Sequence, residues 1–168
     1  IGLTDSLPES EDCLFVNVWT PGTASQAREA GDPAPARPVL VWVHSGGYSD
    51  NSGSSPSIDG AALAERHDLV VVTFNHRLNV LGYMQVVDPT AEPGSPYAVS
   101  GNVGQLDIVA ALEWVRDNIA AFGGDPGRVT IGGQSAGGGN VLTLMACPRA
   151  RGLFHGAISE SGAVTDVP

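Results

Sequence analysis

Val129-Thr130-Ile131-Gly132-Gly133-Gln134-Ser135-Ala136-Gly137 is the stretch whose reading decides the fold. Val129 to Gly132 predicts a short buried strand, and Ala136 to about Cys147 predicts a helix. Gly133-x-Ser135-x-Gly137 falls on the turn between them. A Ser on so sharp a strand-to-helix turn adopts a strained backbone that lifts its hydroxyl clear of the sheet. Small residues two before and two after it let strand and helix pass close together. The helix then aims its N-terminus at the hydroxyl, where it stabilises negative charge. By itself the pattern is weak in a chain with 22 glycines; the strand before it and the helix after it make it specific.

Working outward, Ala157 to Ser159 predicts a last strand. On the N-terminal side, apolar residues at 106, 109, 112, 115, 119 and 122 describe an amphipathic helix from about Asn102 to Phe122, ended by Gly123-Gly124. Residues 87–100 carry three prolines and read as a loop. Leu69 to Phe74 and Val39 to Val43 are apolar runs that suit strands covered on both faces. Between them, a Gly- and Ser-rich loop spans residues 44–57, and Ser57 is placed to cap a short helix through Arg66. That helix would carry Ile58, Ala61, Ala62 and Ala64 near its apolar side. Residues 22–37 read as a surface loop, and Leu14 to Trp19 as an edge strand or hairpin arm. Strands alternating with helices predict an α/β fold with a mostly parallel, doubly wound sheet.

A second motif follows the Val39 to Val43 strand: His44-Ser45-Gly46-Gly47-Tyr48. Acyl transfer needs backbone N–H donors around a tetrahedral oxyanion. Glycines after a strand let such donors point inward without side-chain clash, and the N–H of Ala136, next after Ser135, would complete the set.

Composition narrows the alternatives. The net charge of −10 and a pI near 4.5 disfavour a nucleic-acid partner. There is no Lys, which removes a Schiff base, a Ser–Lys dyad within the chain and a phosphate-loop Lys. Gly132 to Gly139 does not fit G-x-G-x-x-G, so a nucleotide-binding reading is rejected. No apolar run approaches the ~20 residues of a membrane span. Cys13 and Cys147 read as small buried apolar residues or, for Cys13, as half of a disulfide whose partner precedes Ile1. His67, His76 and His155 read as surface or loop residues outside any metal-binding spacing, and neither metal nor cofactor is expected. Arg77 and Asp107, charged residues inside apolar stretches, predict a buried structural ion pair.

Seven stretches together resemble type-B carboxylesterases, the family that includes the cholinesterases and para-nitrobenzyl-type esterases. They are Ser10 to Leu14, His44 to Tyr48, Asn75-His76-Arg77-Leu78, Gly101 to Gly104, Phe122 to Pro126, Gly133 to Gly138 and Gly152-Leu153-Phe154, in family order across nearly the whole chain. The resemblance implies an α/β-hydrolase fold, of which residues 1–168 would be the N-terminal-side part, truncated at both ends. It implies Ser135 as acyl-enzyme nucleophile, Gly46, Gly47 and Ala136 as oxyanion donors, and His44 as an orienting residue of the donor loop. Gly133, Gln134 and Gly137 would support the elbow, and Ser161 either resembles a Ser lying behind the triad or serves packing at the end of the last strand. Glu11 would pair with an Arg before Ile1, and Cys13 resembles the second cysteine of an N-terminal disulfide.

Two departures stand out: Ser45 replaces the first of three loop glycines, and Gln134 stands where Glu is common. The acid and His of the triad would follow Pro168. The substrate would be a small carboxylic ester. The other reading is a non-catalytic adhesion or scaffold domain of the cholinesterase type, which the intact elbow and donor glycines disfavour.

Overall fold

The structure, a computed structural model, describes residues 9–86 and 94–163. Five strands are described: β1 (Val16–Trp19), β2 (Arg37–Val43), β3 (Val70–Phe74), β4 (Gly124–Gln134) and β5 (Gly156–Glu160). They form one sheet in the order β1-β3-β2-β4-β5. β1 runs antiparallel to β3, while β3, β2, β4 and β5 are mutually parallel. The helices are α1 (Ala24–Ala30), α2 (Ala61–His67), α3 (Asn79–Tyr83), α4 (Val103–Asn118) and α5 (Ala136–Ala146).

The strand alternation builds the core. Val39 and Val41 of β2 stand level with Val70 and Val72 of β3 and with Val129 and Ile131 of β4, and Val43 follows two residues further along β2. These side chains, with Phe74, are buried under Ile108, Leu112 and Val115 of α4 and Val141 and Leu144 of α5. Each such aliphatic side chain is worth about 1.5–3 kcal/mol relative to exposure. On the opposite face, Val71 lies against Gly60 at the head of α2, so helices flank both sides.

The expected strands are all present, and β1 is the edge strand predicted for Leu14 to Trp19. β4 is longer than the Val129 to Gly132 core read from apolar residues, because Gly124 already pairs with Arg37 across a register shift. The strand expected to be covered on both faces is so only at β3; in β2, Leu40 and Trp42 are half-buried.

Three local expectations are corrected. Residues 22–37 contain α1, which Thr23 starts through a capping box: its hydroxyl accepts from Gln26 N–H, and the Gln26 side chain accepts from Thr23 N–H. Gly31, at φ 80°, ends it. Ser57 does not cap the expected short helix through Arg66, because Pro56–Ile58 closes as a single 3₁₀ turn and α2 starts afresh at Ala61. There Asp59 accepts from Ala61 N–H, and only Ala64 of α2 is buried. The long helix expected to Phe122 is α helical to Asn118 and ends in a 3₁₀ turn over Ile119–Phe122. Of the loop expected over 87–100, residues 87–93 lie outside the described residues, and Pro96–Asn102 forms a 3₁₀ segment.

Candidate active site at the carboxyl edge of the sheet

Parallel α/β sheets expose their functional loops at the carboxyl ends of the strands. β2 ends at Val43, in register with Gly133 near the end of β4, and Gln134 stands level with Glu160 at the end of β5. His44, Ser135 and Ser161 therefore leave three adjacent strands at one edge.

Ser135 sits at φ 56°, ψ −121°, a region that residues with side chains rarely adopt. Its N–H donates to the Glu160 carbonyl at 2.8 Å, and its carbonyl accepts from Gly139 N–H at 2.9 Å, closing the first turn of α5. Glycines permit the crossing. A Cβ on Gly133 would lie 2.5 Å from the Gly137 carbonyl carbon, and one on Gly137 would lie 2.2 Å from the Val43 carbonyl oxygen. Ser135 is exposed, and among the described residues no side chain hydrogen-bonds its hydroxyl. Ala136, the next residue, is buried as the first residue of α5. Gln134 is exposed and uncharged, so the residue beside the Ser adds no negative charge.

The loop after β2 folds back sharply. Gly46 lies at φ 123°, and the N–H groups of Ser49 and Asp50 both donate to its carbonyl. A Cβ there would fall 2.1 Å from the Asp50 carbonyl oxygen. Gly47 follows at φ 63°, where a Cβ would meet only Ser49 Oγ, at an ordinary 3.7 Å. Ser45 is absent from the positive-φ positions, which explains why this position accepts a side chain where its two neighbours do not.

Behind the loop His44 is buried, its Nδ1–H donating to the Ser45 carbonyl at 2.7 Å, which leaves Nε2 as the bare nitrogen. His44 is thereby tied to the backbone of its own loop. Its ring stacks on His76 at 4.7 Å between centroids. His76 lies in the loop after β3, as one of the two expected placements had it, but not at the surface: it is 3% exposed, following the fully buried β3 and packing its ring on His44. Burial lowers the His76 pKa to about 3, with the neighbouring His44 adding to the effect and Asp107 opposing it. Burial also lowers the pKa of His44, against its bond to Ser45 and the charge of Asp50. Both rings are neutral near pH 7.

His67 is exposed in the last turn of α2, and the exposed His155 accepts from Val129 N–H through Nδ1. Arg77 and Asp107 form the expected pair, with Arg77 Nε and its backbone N–H both donating to one Asp107 oxygen and Nη2 donating to the other at 2.6 Å. The burial is one-sided: the Asp107 side chain is 7% exposed and that of Arg77 is 42%. Hydrogen bonding to Asp107 raises the Arg77 pKa further. Cys13 and Cys147 are free, half-buried thiols, and Ser161 is exposed at φ 51°. Among the described residues no group of three or more His, Cys, Asp or Glu is placed to hold a metal ion, and no helix is long and apolar enough to cross a membrane.

A strained Ser between a central parallel strand and its helix, beside a glycine turn from the adjacent strand, defines an α/β-hydrolase. The chain belongs to the carboxylesterase family, whose model matches residues 2–167. It is 44% identical over 163 residues to the para-nitrobenzyl esterase of Bacillus subtilis, covering 97% of this chain and 30% of that protein. It is 49% identical over 156 residues to a cocaine esterase of the rabbit Oryctolagus cuniculus, covering 93% of this chain and 26% of that one. A solved Geobacillus stearothermophilus carboxylesterase superposes with a TM-score of 0.81 at 45% identity, over 94% of this chain and 31% of the other. The chain thus spans about 30% of the length of these relatives.

Proposed function

We propose that the complete protein is a serine carboxylic ester hydrolase acting through an acyl-enzyme on Ser135. The observation that carries this reading is the backbone of Ser135, held at φ 56° between β4 and α5 with its hydroxyl exposed and the Gly46–Gly47 turn one strand away. Membership of a family whose relatives are named esterases supports it, and the intact elbow disfavours a non-catalytic adhesion or scaffold role.

In this mechanism a His from elsewhere in the complete protein, oriented by an Asp or Glu, takes the proton from Ser135 Oγ. The Oγ–acyl bond forms while the carbonyl electrons move onto oxygen. The N–H groups of Gly46, Gly47 and Ala136 hold that oxyanion, and the α5 N-terminus favours its charge. The C–O bond to the alcohol then breaks, with the His returning its proton to the leaving oxygen. Water, deprotonated by the same His, repeats the attack and releases the acid, restoring the Ser hydroxyl. The substrate is a small carboxylic ester, and the chemistry calls on neither metal nor cofactor.

The test is steady-state hydrolysis of p-nitrophenyl acetate by the complete protein and its Ser135→Ala variant. The expected loss in kcat is on the order of 10⁶. A variant retaining near-normal turnover would remove the proposal.

A further inference from the structure

The loop after β2 carries a second strained residue whose role the glycines do not explain. Tyr48 lies at φ 64°, in the left-handed region that a bulky side chain avoids unless its surroundings over-determine it. Three contacts do so. Its carbonyl accepts from the N–H of Asn79 at 2.7 Å, at the first residue of α3 and itself at φ 55°. Its ring meets that of Tyr83, at the other end of α3, edge-on with centroids 5.2 Å apart. Its hydroxyl hangs over the first turn of α5: a methyl placed on Gly139 would lie 2.4 Å from Tyr48 Oη, 3.0 Å from the Ala163 carbonyl oxygen and 3.6 Å from Tyr48 Cζ. Gly139 is the residue whose N–H closes on the Ser135 carbonyl. One ring thus spans from the residue after Gly47 to the turn that begins at Ser135.

We propose that Tyr48 is a positioning residue, clamping the Gly46–Gly47 turn against the first turn of α5 and so fixing the spacing between oxyanion donors and nucleophile. This rests on the esterase reading above. A ring that merely filled space would need neither the positive φ nor the anchored carbonyl. The Tyr48 hydroxyl is also the nearest atom that a side chain at position 139 would meet, ahead of the Ala163 carbonyl oxygen.

The experiment uses the complete protein, with p-nitrophenol release measured before steady state so that acylation is separated from substrate binding. Tyr48→Ala should lower the acylation rate by about 10²-fold, the value of one oxyanion donor, while substrate binding stays within about threefold. Tyr48→Phe, which keeps the ring, should restore most of that rate. Gly139→Ala should slow acylation about tenfold or more by pushing on the hydroxyl. The same change in a Tyr48→Phe background should recover part of the loss, because Cζ then becomes the nearest ring atom. The Gly139 cycle decides the matter if Tyr48→Ala does not fold. Wild-type acylation in a folded Tyr48→Ala, a loss confined to binding, or a Gly139→Ala defect unchanged by removing the hydroxyl overturns the clamp alone. Turnover that survives Ser135→Ala overturns the esterase reading, and the clamp with it.

Discussion

At Ser45, Gly46 and Gly47, adjacent positions in one turn carry different constraints. Ser45 has ordinary backbone angles; Gly46 has no room for a Cβ; Gly47 has room but a left-handed backbone. Ser45→Gly should therefore leave kcat within about twofold. Gly46→Ala should be the most damaging, costing on the order of 10²-fold or more as the turn opens and donors move. Gly47→Val should also cost about 10²-fold, through backbone strain rather than collision. Steady-state kinetics on the three variants, with circular dichroism to confirm folding, gives the order directly. Full kcat in a folded Gly47→Val would contradict it.

The buried imidazoles make a second prediction at this scale. A His with an unfolded pKa near 6.5 and a folded value of about 3 is neutral in the native state, while the unfolded chain binds its proton below pH ~6.5. The stability that His76 contributes is complete above about 6.5 and lost as pH falls toward 3, by several kcal/mol on the order-of-magnitude scale of ~1.4 kcal/mol per unit. Urea unfolding at pH 7.5 and 5 should show that fall, and His76→Phe, which keeps a ring against His44, should flatten it. An unchanged slope in the variant would refute the assignment. The strained turn at Ser135 and the glycine turn at Gly46 and Gly47 were legible in the sequence because such turns demand a local pattern. The burial of His76 and the strain at Tyr48 were not, because both are set by contacts with segments dozens of residues away.

Between elements, the Arg77–Asp107 pair ties the exit of β3 to α4. Its two halves differ in exposure, so their removal should differ in cost. Arg77→Leu strands the carboxylate of Asp107, 7% exposed, and should cost about 3–5 kcal/mol. Asp107→Asn leaves a guanidinium that is already 42% in solvent and keeps an acceptor for Arg77 N–H, so it should cost clearly less. Chemical denaturation of both variants tests the asymmetry, and equal costs would contradict it. The sequence announced this pair through two charges in apolar surroundings, though not its one-sided burial. Strands were legible as β-branched runs, and α4 as steps of three and four. α1 escaped because its burial is slight and its signal is a four-residue capping box inside a Pro- and Gly-rich stretch. The start of α2 was misplaced because Ser55 caps the 3₁₀ turn that contains Ser57, and only Asp59 serves the α helix.

Across the whole molecule, the parallel strands β2, β4 and β5 bring the glycine turn, the elbow and Ser161 to one edge of the sheet. The described residues offer Ser135 no base: His44 and His76 are buried against each other, His155 bonds to β4, and His67 lies on α2. The chain spans about 30% of the length of its relatives, and the proposed mechanism draws its acid and base from the complete protein. The fold class was readable because the elbow, the donor loop and the strand–helix alternation agree with one another. The base was not, since neither a spacing nor a motif in these 168 residues places one beside Ser135. The most direct test of the central claim is to treat the complete protein with a fluorophosphonate and map the adduct by peptide mass spectrometry. A single stoichiometric adduct on Ser135, abolished in Ser135→Ala, is the result expected. Labelling of a different residue, with Ser135 unmodified in a fully inactivated protein, would contradict the account.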